Sequence, residues 1–137
     1  MRIEDINTEK FTELIAHENT TIIIIKFSAE WCKPCRIVAP IFEQYIINHS
    51  KRNDVIIGVV DIDSSDFYRE LKRKRMINGI PCIMAFYRKN GNDNNNYLIP
   101  DDSITGANIK DVSIFLNRCD TYILKSVKEI SQNKLII

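Results

Sequence analysis

Apolar positions along the chain follow two rhythms, and their alternation sets the expected order of elements. Residues 8 to 18, "TEKFTELIAHE", carry Phe11, Leu14 and Ile15 at helical spacing behind Asn7 or Thr8 as a candidate N-cap, which predicts a first helix. The next stretch, "TIIIIKFSA", is short, β-branched and apolar throughout except for Lys26, the pattern of a strand covered on both faces. In "RIVAPIFEQYIINH", Ile37, Ile41 and Tyr45 form one helical series and Val38, Phe42 and Ile46 another, so a helix follows directly, with Pro40 expected to kink it. "DVIIGVVDID" reads as a second buried strand. "SSDFYRELKRKRM" reads as a helix with a serine cap, an early acid and late cations that suit its dipole.

A third strand is predicted from Cys82 to Tyr87, ending at the Asn90-Gly91 turn signal, and Tyr97 to Thr105 offers a returning strand. The polar stretch "GNDNNN" within residues 91–104 reads as a loop insertion. A last helix begins at Asn108 and runs through Val112, Phe115 and Leu116. Beyond it Ile123, Leu124, Val127 and Ile130 repeat the helical spacing. Strands alternating with helices predict an α/β fold. The expected division is one domain over 1–120 and a C-terminal helical extension over 121–137, whose apolar stripe would cover its own domain or form a homodimer contact.

Composition narrows the function classes. The chain has 137 residues, 45% hydrophobic and 27% charged, ordinary proportions for one folded domain with a real core. Its formal charge of +1 gives no chain-wide attraction to nucleic acid or to an anionic membrane. The basic run Lys72 to Arg75 falls at a predicted helix C-terminus, where cations are favourable anyway. The N-terminus lacks the apolar core of a secretory signal and no run is long enough to span a membrane, so a cytoplasmic location is expected.

Four cysteines without an export signal turn attention from structural disulfides to redox or metal chemistry. Cys32 and Cys35 have the spacing of a redox pair and also of half a zinc site. Their place between a strand end and a helix start favours the redox reading. Unpaired amides and the dipole there stabilise a thiolate at Cys32, and Cys35 lies three residues on, within disulfide reach. Cys32 is then the nucleophile and Cys35 the resolving thiol. Pro34 suits the first turn and stiffens the ring. A metal centre lacks ligands: Cys82, Cys119, His17 and His49 include no second close pair, so no metal and no cofactor is expected.

In order along the chain, "FSAEWCKPCRIVAPIFE", "VVDID", "NGIPCIMAFYRKNG" and "ITGANIKDVSIFLN" resemble the active-site segment, following strand, proline-containing hairpin and closing strand and helix of the thioredoxin family, over about residues 5 to 118. The resemblance implies a thioredoxin fold, a central mixed sheet between helical layers, and reversible exchange with disulfide-containing protein substrates, reset by an external reductase or thiol. It also implies Trp31 as a shield over the dithiol and Pro81 as a cis proline facing it, with Ile80 offering backbone to a substrate strand. Lys33 and Pro34 complete the substrate-facing set.

Two residues depart from the pattern. Lys26 stands where the family carries a buried aspartate that helps move the proton of the second cysteine. It is expected either to stay charged, reaching solvent or a carboxylate such as Asp61 or Asp63, or to be a desolvated amine able to accept a proton. Lys33 replaces a glycine and would stabilise the Cys32 thiolate if its ammonium stays close, or remain a solvated surface cation. Cys82 and Cys119 read as packing residues. Three functions stay open: a disulfide reductase, a more oxidising oxidase or isomerase, and an interaction module that keeps the fold without the redox role.

Overall fold

The computed structural model describes residues 1–88 and 98–136, with side chains in the last helix described to Lys128. The elements are β1 (Arg2–Glu4), α1 (Thr8–Ala16), β2 (Ile22–Ser28), α2 (Lys33–Asn48), β3 (Val55–Asp61), a short 3-10 turn (Ile62–Ser64), α3 (Asp66–Arg73), β4 (Cys82–Tyr87), β5 (Asp102–Thr105) and α4 (Ile109–Ile136). The five strands form one sheet in the order β1-β3-β2-β4-β5. β1, β3 and β2 run parallel, and β4 lies antiparallel to both β2 and β5.

The isoleucine run forms the central strand because each of its faces has a helical layer to meet. Ile23, Ile25 and Phe27 pack with Phe11, Ile15, Phe67 and Leu71 of α1 and α3, whereas Ile22 and Ile24 pack with Val38, Phe42, Val112 and Phe115 of α2 and α4. A strand buried on both sides has no polar face, which is why its sequence shows no alternation. The fold is therefore three-layered α/β/α around a mixed sheet, as expected.

Local signals set the helix ends. The Asn7 side chain accepts from the Lys10 amide at 2.8 Å and Ser65 from the Tyr68 amide at 3.0 Å, each removing one unpaired donor of a first turn. α2 runs unbroken through Pro40 to Asn48.

Three features extend the sequence pattern. The returning strand occupies only Asp102–Thr105, so the end of the stretch read as a loop insertion belongs to the sheet; residues 89–97 lie outside the described residues. The last helix and the extension are one continuous α4 of 28 residues, with Ile123 buried in the domain's own core and Leu124 and Val127 exposed. His49 is half-buried: its Nε2 lies 3.0 Å from Asp120 Oδ1, which also accepts from the Tyr45 hydroxyl at 2.8 Å. This cluster ties the end of α2 to α4, and it was invisible in sequence because its members are 71 and 75 residues apart. The N-terminal edge strand β1 was also missed, being three residues long and charged on both sides of Ile3.

Candidate dithiol active site

Strand register builds the site. β2 ends at Ser28 beside Asp61, the end of its parallel neighbour β3, and Phe27 pairs with Cys82 at the start of the antiparallel β4. The carboxyl ends of β2 and β3 and the amino end of β4 therefore share one edge, where ligands of open α/β sheets bind. The loop after Ser28 delivers Trp31 and Cys32, and the Ile80-Pro81 segment arrives opposite.

Cys32 is the N-cap of α2, and its sulfur accepts from the Cys35 amide at 3.3 Å. Cys32 and Cys35 are joined as a disulfide, with Cα atoms 5.3 Å apart, inside the range that a bridge needs. Both are nearly covered, at 5% and 4% exposure, and pack with Ala29, Ile62 and Ile80. A thiolate at Cys32 meets unpaired amides and the positive end of a helix 16 residues long. Lys33 and Pro34, the first two residues of that helix, are both exposed.

Pro81 follows a cis peptide bond from Ile80, and its carbonyl accepts from the Gly106 amide at 2.9 Å. Ile80 packs against the disulfide. Trp31, the residue before Cys32, is 65% exposed, with its indole Nε1 donating to Asp63 Oδ2 at 2.8 Å. Beside it opens a groove of about 360 Å³ lined by Trp31, Ile62, Asp63, Tyr68, Lys72 and Ile80.

Lys26 lies on the face of β2 that continues from Ile22 and Ile24, and its Nζ sits 5.4 Å from the centroid of Phe42 on α2. It is 4% exposed. Burial pushes its amine below the ordinary lysine range, with Glu43 and Glu4 pulling it back up and Arg2 adding to the fall. Neither of the expected partners reaches it: Asp61 accepts from the amide of Asp63, and Asp63 holds Trp31. Both carboxylates serve the turn after β3 instead, and neither forms an ion pair with Lys26. On the side of the disulfide away from the groove, Lys26 shares a second cavity of about 440 Å³ with Ser28, Glu30, Cys35 and Arg36.

The other two cysteines are free and buried. Cys82 accepts a weak bond from the Thr105 hydroxyl at 3.6 Å, and burial raises its thiol above the ordinary range. Cys119 is pushed up to about 12, by burial first and then by Asp102 and Asp120. Among the described residues no group of three or more His, Cys, Asp or Glu is arranged to hold a metal ion.

The family model described as Thioredoxin matches residues 2–110, which spans both the dithiol and the Pro81 segment. The chain belongs to the thioredoxin family. Among curated thioredoxin-family relatives, a thioredoxin of Coprinus comatus is 38% identical over 71 residues, 51% of this chain and 64% of that protein. Thioredoxin domain-containing protein 8 of Rattus norvegicus is 31% identical over 77 residues, 56% of each chain. A probable protein disulfide-isomerase A6 of Medicago sativa is 32% identical over 82 residues, 60% of this chain but 21% of its own length. The chain thus spans less than two thirds of the length of these relatives. The solved thioredoxin of Fasciola hepatica superposes with a TM-score of 0.63 at 24% identity, over 86% of this chain and 98% of that one, which shows the thioredoxin fold. A Plasmodium falciparum thioredoxin does so with a TM-score of 0.62 at 21% identity, over 84% and 96%.

Proposed function

We propose that the chain is a thiol-disulfide oxidoreductase that reduces protein disulfides through a Cys32-Cys35 cycle. The observation that carries this is the closed Cys32-Cys35 bridge at the head of α2, with the Cys35 amide donating to the Cys32 sulfur. In the reduced form Cys32 thiolate attacks a substrate disulfide, expelling one substrate thiolate and leaving a mixed disulfide at Cys32. Cys35 then attacks the Cys32 sulfur, releases the second substrate thiol and closes the bridge. Trp31, Lys33, Pro34, Ile80 and Pro81 border the attacked sulfur and form the substrate-facing rim in this reading. Lys26 and Lys33 act as its charge-tuning residues. An external reductase or thiol returns the electrons. The cycle suits a reducing compartment such as the cytoplasm, where Cys82 and Cys119 also stay free.

The test is capture. Cys35→Ala in the full chain should accumulate mixed disulfides with proteins of a reducing extract, released by dithiothreitol. Their absence would overturn the reading. The equilibrium potential of the pair then assigns the direction. A value near about -270 mV marks a reductase, and one near about -180 mV or above an oxidase or isomerase.

A further inference from the structure

The basic run from Lys72 to Arg75 has no part in the cycle described above. Much of the charge of α3 is engaged locally. Arg73 Nη2 lies 2.7 Å and Lys74 Nζ 3.6 Å from the same Glu70 oxygen, and Arg69 pairs with Asp66. Lys72 is exposed and makes no hydrogen bond or ion pair among the described residues. Its Nζ stands 5.9 Å from the centroid of the Tyr68 ring, four residues earlier on the same face of α3. Both residues line the groove beside Trp31. Arg75 also lacks a carboxylate among the described residues, but it does not line the groove.

The groove is charged differently at its two ends. At the head of α3, Asp63 accepts from the Trp31 indole at 2.8 Å. Lys72 stands in the last turn of the helix, and α3 advances about 9 Å from Asp66 to that position. Ile62, Tyr68, Ile77 and Ile80 supply the apolar wall. Ile80 also packs against the disulfide, so a chain lying in the groove starts at the attacked sulfur. At about 3.3 Å per extended residue, such a chain meets Lys72 roughly three residues on. A carboxylate there gains an ion pair with an ammonium that no acid of the chain has claimed.

We infer that Lys72 is a specificity-determining residue: the groove takes an extended segment of a protein substrate that carries an acidic side chain about three residues from the attacked cysteine. The carboxylate meets Lys72, and its apolar neighbours lie against Ile62, Tyr68 and Ile77. The inference rests on the oxidoreductase reading and names the class of substrate that it left open; the exchange chemistry is the same. The unlike ends also orient the segment, because a carboxylate at the Asp63 end meets a like charge. One acid on one side of the cysteine is therefore favoured, and net acidity of the substrate is not enough. Since Lys72 is exposed, salt screens the pair, and its effect falls mainly on the association rate.

The test uses a short neutral peptide whose one cysteine is held as its 2-thiopyridyl disulfide. The Cys32 thiolate of the reduced full chain attacks the peptide sulfur, the peptide joins Cys32, and 2-thiopyridone leaves and reports the rate. A single glutamate is moved from about two to about five residues away on either side of the cysteine, and each peptide is compared with its glutamine counterpart. The glutamate peptide should be faster by about threefold at one position on one side, the effect of one exposed pair, and the advantage should fade at high salt. In Lys72→Gln that maximum should disappear, and in Lys72→Glu the glutamine peptide should become the faster. Arg75→Gln, which removes a charge outside the groove, should keep it. Equal rates at every position, or a maximum lost equally in Arg75→Gln, would overturn the proposal. Thiopyridone release without a charge preference removes the acidic specificity alone. Release no faster than from Cys32→Ser brings down the oxidoreductase reading, and the specificity with it.

Discussion

The indole Nε1 of Trp31 donates to Asp63 Oδ2 at 2.8 Å, tying the residue before the dithiol to the turn after β3. Trp31 is largely exposed, so this bond is what fixes the ring over the groove. Asp63→Ala should leave urea stability within about 0.5 kcal/mol, because the bond is solvent-accessible. It should nevertheless lower kcat/KM for a protein disulfide several-fold by releasing the ring. Trp31 fluorescence anisotropy and insulin reduction check the two halves separately. A loss of stability without a loss of rate would show that the contact only supports the turn.

The amide of Gly106 donates to the Pro81 carbonyl from a backbone with φ of 110°, a conformation costly for any residue with a side chain. An added Cβ there meets nothing within 4 Å, so strain and not collision sets the penalty. Gly106→Ala should destabilise by about 1 kcal/mol or more. Because the strained residue holds the Pro81 segment, the rate of substrate reduction should fall as well. Urea denaturation beside a single-turnover assay measures both.

Cys82 and Cys119 are the other two thiols, and burial holds both above the ordinary thiol range, Cys119 at about 12. Only the thiolate is alkylated, so at neutral pH these two should react with iodoacetamide slower than the reduced Cys32 by about a hundredfold or more. Peptide mapping after timed alkylation should find Cys32 first and the buried pair only after unfolding. Rapid labelling of Cys82 in the folded reduced chain would contradict its role as a packing residue.

Legibility differed between fold and site for physical reasons. β2, β3 and β4 announced themselves because a strand buried on both faces must be continuously apolar, and α1 and α3 because Asn7 and Ser65 are caps whose effect reaches only three residues. The Cys32-Cys35 pair was legible because both sulfurs belong to one helix turn. Contacts across the sheet were not: the union of Tyr45, His49 and Asp120 depends on the crossing of α2 and α4, and the cavity joining Lys26 to Cys35 and Arg36 depends on which face of β2 Lys26 takes. The lysine itself stood out in sequence, but that Asp61 and Asp63 serve the turn after β3 and not Lys26 did not.

Lys26 supplies a prediction whose sign follows from linkage. Burial lowers its amine in the folded chain below the value near 10.5 that it regains on unfolding. Between the folded and unfolded values the unfolded chain binds more protons, so this group makes the fold more stable as pH rises towards about 10.5 and less stable as pH falls, with no further change below the folded value. The buried thiols act in the opposite sense, since their raised values cost stability once pH passes the ordinary thiol range near 9.0. The difference between the parent chain and Lys26→Met cancels them. Met keeps the packing against Phe42 and removes the desolvated charge, so at neutral pH the variant should be more stable by about 1 kcal/mol. That advantage should shrink steadily as pH rises towards about 10.5, above which the parent amine is neutral in both states. Urea titrations of the oxidised proteins at pH 7 and pH 10 measure it, and an advantage independent of pH would place the effect in packing and not in the charge.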